Sequence, residues 1–425
     1  MTHQQQSIAV VGSGISGLAA AWLLSQRHEV TLYEADTRLG GHSNTVDAVI
    51  ENISVPVDTG FLVCNDRTYP NLLAMFKYFD VELVASEMSF SVQIQHEKLE
   101  WSGTSLATLF GDMKTLLRPK FWRMLLDIFR FNRESPLLLG EQAYGLTLGQ
   151  YLERENYSVA FKQWYLFPMA AAIWSCPTGS VKDFSAVTLI RFFKQHGLLQ
   201  VTNRPQWLTV KNGSRSYVEK LGSRISHVNI DDAVIKIDRN ETGVSVVSKK
   251  GVTRFDQVVL ACHSDQALKL LSEPTADEIS VLSAITYQSN RAVLHTDASL
   301  LPRRKALWSA WNFHAQDSGP VEQAVSLSYL INKLQPLGVD TPVIVTLNPQ
   351  VEIPAQHVLA DIHYAHPVLD GGAVAAQGKL PMIQGVRQVW FCGAWTGYGF
   401  HEDGLKSALQ IANRFGINAP WQEQR

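Results

Sequence analysis

The chain has 425 residues, of which 46% are hydrophobic and 18% are charged, and this composition excludes a disordered chain. Its 37 basic and 39 acidic residues give a formal net charge of −2, so the chain as a whole does not attract nucleic acid. The four cysteines stand far apart with no Cys-x-x-Cys pair, and we expect neither a disulfide framework nor a metal site.

The first residues predict a cytoplasmic protein without a transmembrane segment. Residues 1–6 lack the basic and apolar regions of a signal peptide. The mostly apolar run from Ile8 to Leu24 is interrupted by Gly12, Gly14 and Gly17. A membrane-spanning helix needs about 20 continuous apolar residues, which this run does not provide.

The residues from Ser7 to Glu34 follow the pattern of a dinucleotide-binding βαβ unit. A short apolar strand (Ser7–Val11) precedes a glycine-rich turn, a helix (Leu18–Leu24), a second strand (Glu29–Tyr33) and an acid. In such units the glycines admit a pyrophosphate at the helix N-terminus, and the acid binds a ribose. The residues expected to bind the cofactor are therefore Gly12, Gly14, Ile15, Ser16, Gly17 and Glu34.

Two motifs after this unit indicate which dinucleotide the protein binds. Thr37-Arg38-Leu39-Gly40-Gly41-His42 follows the acid, and Asp58-Thr59-Gly60-Phe61 follows two predicted strands, Val46–Val49 and Ile53–Val57. With these motifs the sequence resembles the superfamily of flavin-containing amine oxidases, protoporphyrinogen oxidases and phytoene desaturases. The resemblance implies FAD, bound non-covalently because the cysteine motif of covalent members is missing. It also implies that Arg38, Gly40, Gly41 and His42 surround the ribose and pyrophosphate, and that Thr59, Gly60 and Phe61 pass beside the flavin ring.

Later segments are expected to return to the same domain. Strand-like runs occupy Ala233–Ile237, Val244–Val247 and Gln257–Ala261, and Val234 matches a valine that contacts the adenine in the family. A last strand, Gln388–Phe391, precedes a glycine-rich loop and an amphipathic helix, Leu405–Phe415. In the family this unit brings Gly393 near the ribityl chain. It also directs the helix N-terminus, here Asp403, Gly404 and Leu405, at the flavin, whose reduced form it stabilises electrostatically.

The stretch Gly397-Tyr-Gly-Phe-His-Glu-Asp-Gly404 resembles a bacterial subgroup of predicted NAD/FAD-binding proteins, related to the N-terminal extension of plant cyclopropane fatty acid synthases. The likeness covers essentially the whole chain and implies an α/β, amine oxidase-like fold. We expect a Rossmann-like FAD-binding domain (1–65, 205–265 and 383–425), interrupted by an α+β substrate domain (66–204 and 266–382). Residues 66–204 are expected to be mainly helical, and strands are expected at Arg291–His295 and Val343–Leu347.

His401, Tyr398 and Trp395 are the candidate catalytic residues, because they lie beside the helix start that would face the flavin. Amine oxidases of the family hold a water against flavin N5 with a lysine, and the resemblance places Arg291 at that position. Arginine stays protonated and is a poor base, so this residue weighs against amine oxidation.

Residues 114–133 carry six basic residues and one acid, Asp127, in a chain of net charge −2. On a helix, Lys120, Arg123, Asp127 and Arg130 share one face, and the other is aromatic and aliphatic: Phe121, Trp122, Met124, Leu125, Ile128 and Phe129. Two interpretations remain open: a helix packed on the substrate domain with a solvated basic face, or a helix that contacts the inner membrane surface.

Three functions follow from these observations. The first is a FAD-dependent oxidoreductase that oxidises or desaturates a lipid or fatty-acyl substrate by hydride transfer. The second is an amine oxidase acting on a small amine. The third is a non-catalytic flavin-binding partner of a lipid-modifying enzyme.

Overall fold

A five-stranded parallel sheet forms the centre of the nucleotide-binding part of the molecule. Its strands lie in the order His227–Asn229, Glu29–Tyr33, Ser7–Val11, Gln257–Leu260 and Val389–Phe391. Helix Ile15–Leu24 is buried along its whole length between this sheet and helix His401–Arg414. The first helix begins at Ile15 rather than at Leu18 because Gly14 already has the extended backbone of an N-cap. The five strands come from three separated parts of the chain; the exact domain boundaries stay a prediction.

A seven-stranded sheet organises the rest of the molecule. Its order is Val358–Pro367, Tyr287–His295, Ile344–Leu347, Ser326–Leu330, Trp311–Ala315, Phe90–Ile94 and Leu99–Ser102. Neighbouring strands are antiparallel except Trp311–Ala315 and Phe90–Ile94, which run parallel. The sheet thus joins strands from both inserted segments. The expectation that residues 66–204 are mainly helical missed its last two strands.

Three small sheets complete the β structure: a hairpin of Thr45–Ile50 and Ile53–Asp58; Val234–Asn240, Gly243–Ser248 and Gly251–Phe255; and Cys64–Asn65, Trp207–Val210 and Leu83–Ala85. The remaining α-helices are Pro70–Tyr78, Leu106–Phe110, Met113–Leu116, Pro119–Glu134, Leu148–Arg154, Val159–Phe161, Phe167–Trp174, Ala186–Gln195, Arg215–Gly222, Ser264–Leu270, Ala276–Leu282, Ile331–Leu334 and Gly371–Lys379.

The structure is a computed structural model that describes residues 4–110, 113–140, 145–200, 202–315 and 326–422. The predicted domain ranges also include residues 1–3, 111–112, 141–144, 201, 316–325 and 423–425, which lie outside the described residues. Within the described ranges, none of the helices has the length and apolar character needed to cross a membrane.

Helix Pro119–Glu134 lies against the protein with a different face from the predicted one. Its buried side chains are Phe121, Met124, Asp127 and Phe131, whereas Trp122 and Phe129 are exposed. Asp127 sets this rotation, because its carboxylate accepts a hydrogen bond from the Ser158 backbone N–H (3.0 Å) and pairs with Arg123 and Arg130 at 3.4 Å. Of the two interpretations, the packed helix with a solvated basic face and a buried aromatic side is wrong in its choice of faces, since Asp127 is buried and Trp122 and Phe129 are exposed. Contact with a membrane surface stays a prediction.

Candidate active site

The glycine-rich turn lets other groups approach its backbone closely. Gly12 has φ +99°, in the left-handed region that favours glycine, and its N–H donates to the Tyr33 carbonyl oxygen at 2.8 Å. A Cβ at Gly17 would lie 1.8 Å from the Gly12 carbonyl oxygen, so no larger residue fits there. A Cβ at Gly14, in contrast, would have no protein atom within 4 Å, and Gly14 faces a large cavity.

The N-terminus of helix Ile15–Leu24 is open to that cavity. Gly14, Ile15 and Ser16 line it, no side chain caps the helix, and no acidic residue lies in its first turn. The first N–H groups of a helix lack partners within the helix, and the helix dipole adds partial positive charge. This end of the helix is therefore a preformed site for an anion such as a pyrophosphate.

Glu34 closes the end of the second strand and also lines the cavity. Its Oε2 accepts hydrogen bonds from the Ser13 N–H (2.8 Å) and hydroxyl (2.5 Å), and its Oε1 accepts one from the Asp36 N–H (2.9 Å). The carboxylate thus fixes the glycine-rich turn and the following loop relative to each other while one edge faces the cavity.

We expect Glu34→Ala to weaken FAD binding by about 1–3 kcal/mol, because a charged acceptor for a ribose hydroxyl is lost and the Ser13 N–H loses its partner. Glu29→Ala, which removes an exposed acid from the start of the same strand, is the control. Fluorescence titration of apoprotein with FAD measures the effect. Equal dissociation constants for both variants and the parent would show that Glu34 does not contact the cofactor.

The loop after the second strand folds over the turn. The Arg38 guanidinium does not line the cavity; it donates to the Gly41 carbonyl oxygen at 2.9 Å and pairs with Asp36 at 3.5 Å. Gly40 and Gly41 both have positive φ, and a Cβ at Gly41 would lie 3.2 Å from the Gly14 Cα. Arg38 therefore supports the shape of the loop that places Gly41 opposite Gly14.

His42 belongs to a group of aromatic and imidazole rings along one wall of the cavity. Its ring lies 4.9 Å from that of Tyr364, 5.3 Å from that of His366 and 6.1 Å from that of His263. Burial and the neighbouring histidines hold the pKa of His42 well below its usual value, and burial lowers the pKa of His366 to about 4. The buried Nε2 of His42 has no hydrogen-bond partner among the described residues.

Anion binding beside His42 should therefore be coupled to proton uptake. The diphosphate of FAD would raise the pKa of His42, so the complex binds more protons than the apoprotein, and affinity rises as the pH falls. We expect the FAD dissociation constant to decrease as the pH falls from the His42 pKa of the complex towards the lowered pKa of the apoprotein, by up to about tenfold per pH unit for one proton. His42→Gln should flatten this dependence, whereas His227→Gln, at an exposed position, should not.

Thr59, Gly60 and Phe61 lie between the His42 group and the last helix. The Thr59 hydroxyl and Tyr364 hydroxyl are 2.8 Å apart, and a Cβ at Gly60 would lie 2.2 Å from the His42 carbonyl oxygen. The Phe61 ring stacks on His401 at 3.7 Å between centroids. All three residues line the cavity, as does Val234.

The C-terminal loop supplies the opposite wall. Gly393 and Trp395 line the cavity, and the Trp395 indole N–H donates to the Cys262 carbonyl oxygen at 3.1 Å. Helix His401–Arg414 begins four residues before the predicted start, so His401 is its first residue and lies on the cavity wall. Asp403, Gly404 and Leu405 do not line the cavity, and their contact with the cofactor stays a prediction.

Asp403, Gly404 and Leu405 contact other parts of the protein. The Asp403 carboxylate accepts hydrogen bonds from the N–H groups of Tyr398 (3.0 Å) and Phe400 (3.1 Å), and burial raises its pKa to about 6. A Cβ at Gly404 would lie 2.7 Å from the Ser16 hydroxyl oxygen, so this glycine lets the last helix approach the first. Leu405 is fully buried in the core.

His401 is held in place rather than free to exchange protons. Its Nε2 lies 2.9 Å from the Ser43 hydroxyl and 3.2 Å from the Tyr217 hydroxyl, and burial lowers its pKa to about 3. The ring is neutral near pH 7, and because two hydroxyl groups occupy its Nε2, His401 suits a positioning role. Tyr398, the third candidate, also lines the cavity, next to Phe192.

Sequence reasoning did not find His196, which follows helix Ala186–Gln195 and lines the same cavity. Its Nδ1 lies 3.1 Å from the Phe192 carbonyl oxygen. A carbonyl oxygen only accepts, so Nδ1 carries the proton and Nε2 keeps its lone pair. Burial lowers the pKa of His196 to about 4, so the ring is unprotonated near pH 7. In the sequence, a lone histidine before Gly197 gives no signal of this geometry.

Arg291 lies outside the site. Its guanidinium is on the outer face of the seven-stranded sheet, half exposed, and pairs with Asp361 at 2.6 Å. It does not line the cavity. The predicted placement of Arg291 beside the flavin was wrong, and the residue gives no reason to exclude an amine.

One continuous cavity of about 1260 Å³ joins these residues to a second, mainly aromatic compartment. Small-molecule pockets usually measure ~300–1,000 Å³, so this volume is large enough for a cofactor together with a substrate. The open helix N-terminus, the space above Gly14, the edge of Glu34 and the His42 wall together fit the dinucleotide that the sequence predicts.

Comparison with known proteins also indicates a flavin-binding protein. The family model of flavin containing amine oxidoreductase matches residues 15–339, about three quarters of the chain. A protein of Mycobacterium tuberculosis named as flavin-containing monoamine oxidase AofH is 25% identical over 272 residues, which cover 60% of this chain and 56% of the relative. The chain thus matches little more than half of that relative's length.

Two solved structures extend the likeness over nearly the whole chain. A CLA-producing fatty acid isomerase from P. acnes matches with a TM-score of 0.70 at 13% identity, over 98% of this chain and 100% of that one. A putrescine oxidase variant matches with a TM-score of 0.69 at 15% identity, over 96% and 98%. At such identities the likeness concerns the fold, and it confirms the predicted α/β, amine oxidase-like architecture.

Proposed function

Because the chain belongs to the family of flavin-containing amine oxidoreductases, whose cofactor is FAD, we propose that it is a FAD-dependent oxidoreductase acting on an apolar acyl chain. The observation that carries this proposal is the chemistry of the second compartment of the cavity. This compartment is lined chiefly by aromatic and aliphatic side chains: Met88, Phe90, Trp101, Tyr165, Met169, Ile173, Trp174, Phe192, Leu198, Trp207, Trp311, Tyr329, Leu347, Tyr398 and Phe400.

The aromatic rings form a packed wall rather than scattered contacts. The Phe192 ring lies 4.7 Å from Trp174, 5.2 Å from Phe400 and 5.5 Å from Tyr398, and the Trp101 ring lies 6.2 Å from Tyr165. An acyl chain entering this compartment gains about 25 cal/mol per Å² of apolar surface removed from water. The wall also excludes water from the reacting carbon.

FAD, when bound, supplies a two-electron acceptor: a hydride leaves one carbon of the chain, a proton leaves its neighbour, and a carbon–carbon double bond remains. The chain's own residues position the reactants and accept that proton. His401, held by Ser43 and Tyr217 and stacked on Phe61, fixes the wall between the two compartments. His196 presents the unprotonated Nε2 that we assign as the proton acceptor.

The charged groups of the compartment favour an anionic head group. Arg204 lines the cavity and is exposed; its Nε donates to the Gln200 carbonyl oxygen at 3.0 Å, and it forms no ion pair with a described residue. Its terminal nitrogens are therefore available to a carboxylate or phosphate at the outer end of an acyl chain.

A small amine is the second candidate, supported by the likeness to putrescine oxidase. An ammonium group is bound by a carboxylate or by an aromatic cage, and the aromatic rings of the compartment could supply the cage. The carboxylates are what distinguish the two candidates. The two carboxylates among the described cavity residues already have partners: Glu34 is bonded to Ser13 and Asp36, and Glu87 is paired with Lys333 at 2.9 Å. An amine would compete with Lys333, whereas an acyl chain would not. A non-catalytic role beside a lipid-modifying enzyme is the third candidate.

Analysis of the reaction product tests the proposal. The purified holoenzyme is incubated in air with a cis-unsaturated fatty acid, with a phospholipid carrying the same chain, or with putrescine, and the products are examined by mass spectrometry. We expect an acyl product lighter by two hydrogens. Oxidation of putrescine alone would support the amine alternative, and no product with any compound would support the non-catalytic one.

A further inference from the structure

The outer side of helix Pro119–Glu134 carries large apolar side chains that are exposed. Trp122 donates its indole N–H to the Leu116 carbonyl oxygen at 2.8 Å and lies beside Phe110, and the rest of its surface is open. Trp122, Leu126, Phe129 and Arg133 follow one another at intervals of four, three and four residues, so they form one stripe along the helix. Trp122 is 46% exposed, Leu126 63% and Phe129 62%. We call Trp122, Leu126 and Phe129 the outer stripe.

The apolar exposure is concentrated around this helix. Fifteen large apolar side chains are exposed among the described residues, and six of them lie between positions 117 and 159: Leu117, Trp122, Leu126, Phe129, Leu137 and Val159. A stripe of exposed apolar side chains such as Trp122, Leu126 and Phe129 marks an interaction site in a folded protein. Because Asp127 and Phe121 anchor the buried side, the helix cannot rotate to hide the stripe without breaking those contacts.

The charges around the stripe are mostly positive. Lys114, Arg123 and Arg133 are exposed near it, and Arg123 and Arg133 also pair with Asp127 (3.4 Å) and Glu134 (2.6 Å). From Lys114 to Glu134, six basic side chains outnumber two acidic ones. The local charge therefore differs in sign from that of the whole chain, which is −2. A surface that combines Trp, Phe and Leu with a rim of Lys and Arg is complementary to an anionic lipid bilayer.

The helix also lies next to the aromatic compartment. The Phe121 ring, on its buried side, lies 6.5 Å from the ring of Trp101, and Trp101 lines the cavity. The helix and its Phe121 side chain thus separate the outer stripe from Trp101 at the apolar end of the cavity.

We propose that the outer stripe and its basic rim dock this protein on the surface of an anionic bilayer, with Trp122, Leu126 and Phe129 inserted among the lipids and the helix parallel to the membrane plane. This docking places the apolar compartment at the lipid surface. It is a binding property that requires no turnover, so it is tested separately from the proposed oxidation.

Co-sedimentation of the holoenzyme with vesicles tests the proposal. The vesicles contain phosphatidylcholine with one third phosphatidylglycerol, or phosphatidylcholine alone. The parent should sediment with the anionic vesicles, less at high salt because exposed charges are screened, and only weakly with the neutral ones. Lys114→Gln and Arg133→Gln combined should lower partitioning to anionic vesicles about thirtyfold, since each basic residue contributes ~1 kcal/mol near such a surface.

A matched pair of apolar variants tests whether vesicle binding depends on the outer stripe or on exposed apolar residues in general. Trp122→Gln, Leu126→Gln and Phe129→Gln combined should abolish sedimentation even with anionic vesicles. Val49→Gln, Ile53→Gln and Val252→Gln, exposed positions outside this region, should sediment like the parent. All variants should retain the flavin content and circular dichroism of the parent, because the changed side chains are exposed.

Three results would overturn the proposal. Equal sedimentation of the stripe variant and the parent would show that the stripe does not touch lipid. Failure of the parent to bind anionic vesicles at low salt would do the same. Conversion of a parent dimer to a monomer by the stripe substitutions, without vesicle binding by the parent, would identify a second copy of the chain as the occupant.

Discussion

Gly14→Ala is expected to remove most of the FAD affinity while leaving the apoprotein folded. Gly14 has φ −62° and ψ 178°, which alanine adopts readily, and its Cβ would meet no protein atom. That empty space faces the cavity at the helix N-terminus, where a pyrophosphate needs close approach of the backbone. A methyl group there should weaken FAD binding by about 1–3 kcal/mol, or about five- to 150-fold. The free energy of unfolding of the apoprotein should fall by at most about 1 kcal/mol.

Gly17→Ala is the contrasting variant in the same turn. Its Cβ would lie 1.8 Å from the Gly12 carbonyl oxygen, a backbone atom that cannot move without disturbing strand Ser7–Val11. We expect this variant to lose about 3 kcal/mol or more of unfolding free energy and to purify without flavin. Urea denaturation of the two apoproteins and FAD titration give the comparison. A Gly14→Ala protein that binds FAD like the parent would show that the cofactor does not use this turn.

His196→Gln is expected to lower kcat for acyl oxidation by about 10²- to 10⁴-fold, the usual contribution of a positioned acid–base group. Glutamine preserves much of the shape and the polar character of the side chain but lacks the basic Nε2. Flavin content should be unchanged, because His196 lies in the aromatic compartment, beside Phe192 and Phe400. KM should change little, since no binding contact to an apolar chain is removed.

The pH profile distinguishes proton transfer from a packing role. With His196 as the acceptor, kcat of the parent falls as acidification protonates the ring, and the His196→Gln variant has a flat profile in the same range. Burial lowers the pKa of His196 to about 4, so this fall should begin well below neutral pH. Leu198→Met, a change of similar volume in the cavity wall, is the control and should keep both kcat and the pH profile. A large loss of kcat in the control, or a pH profile retained by the glutamine variant, would contradict the assignment.

The nucleotide-binding half of the site could be predicted from the sequence because the contacts that form it connect residues close together along the chain. The tight turn, the open helix N-terminus and the acid after the second strand all lie within about 30 residues of one another. Strand Glu29–Tyr33 has the predicted bounds for the same reason. The cavity wall around Gly14, Glu34, Gly41 and His42 follows from those motifs.

The orientation of helix Pro119–Glu134 and the positions of Arg291 and His196 depend on contacts between segments distant in the sequence. Periodicity assigned the aromatic residues of helix Pro119–Glu134 to one face, but the buried carboxylate of Asp127, bonded to the distant Ser158, decided the rotation. Pattern matching placed Arg291 beside the cofactor, whereas strand pairing turned it outward to Asp361. The Phe192 carbonyl oxygen fixes the tautomer of His196, and the C-terminal loop supplies residues that pack beside its ring. Neither contact can be inferred from positions 190–200 of the sequence.

Anaerobic reduction of the bound flavin tests the central claim most directly. The holoenzyme, freed of oxygen, is mixed with a cis-unsaturated fatty acid or, separately, with putrescine, and the absorbance of oxidised flavin is followed. We predict that the acyl compound bleaches the flavin in stoichiometric amount and that putrescine leaves it oxidised. Bleaching by putrescine with no response to acyl compounds, whether free or presented in anionic vesicles, would contradict it.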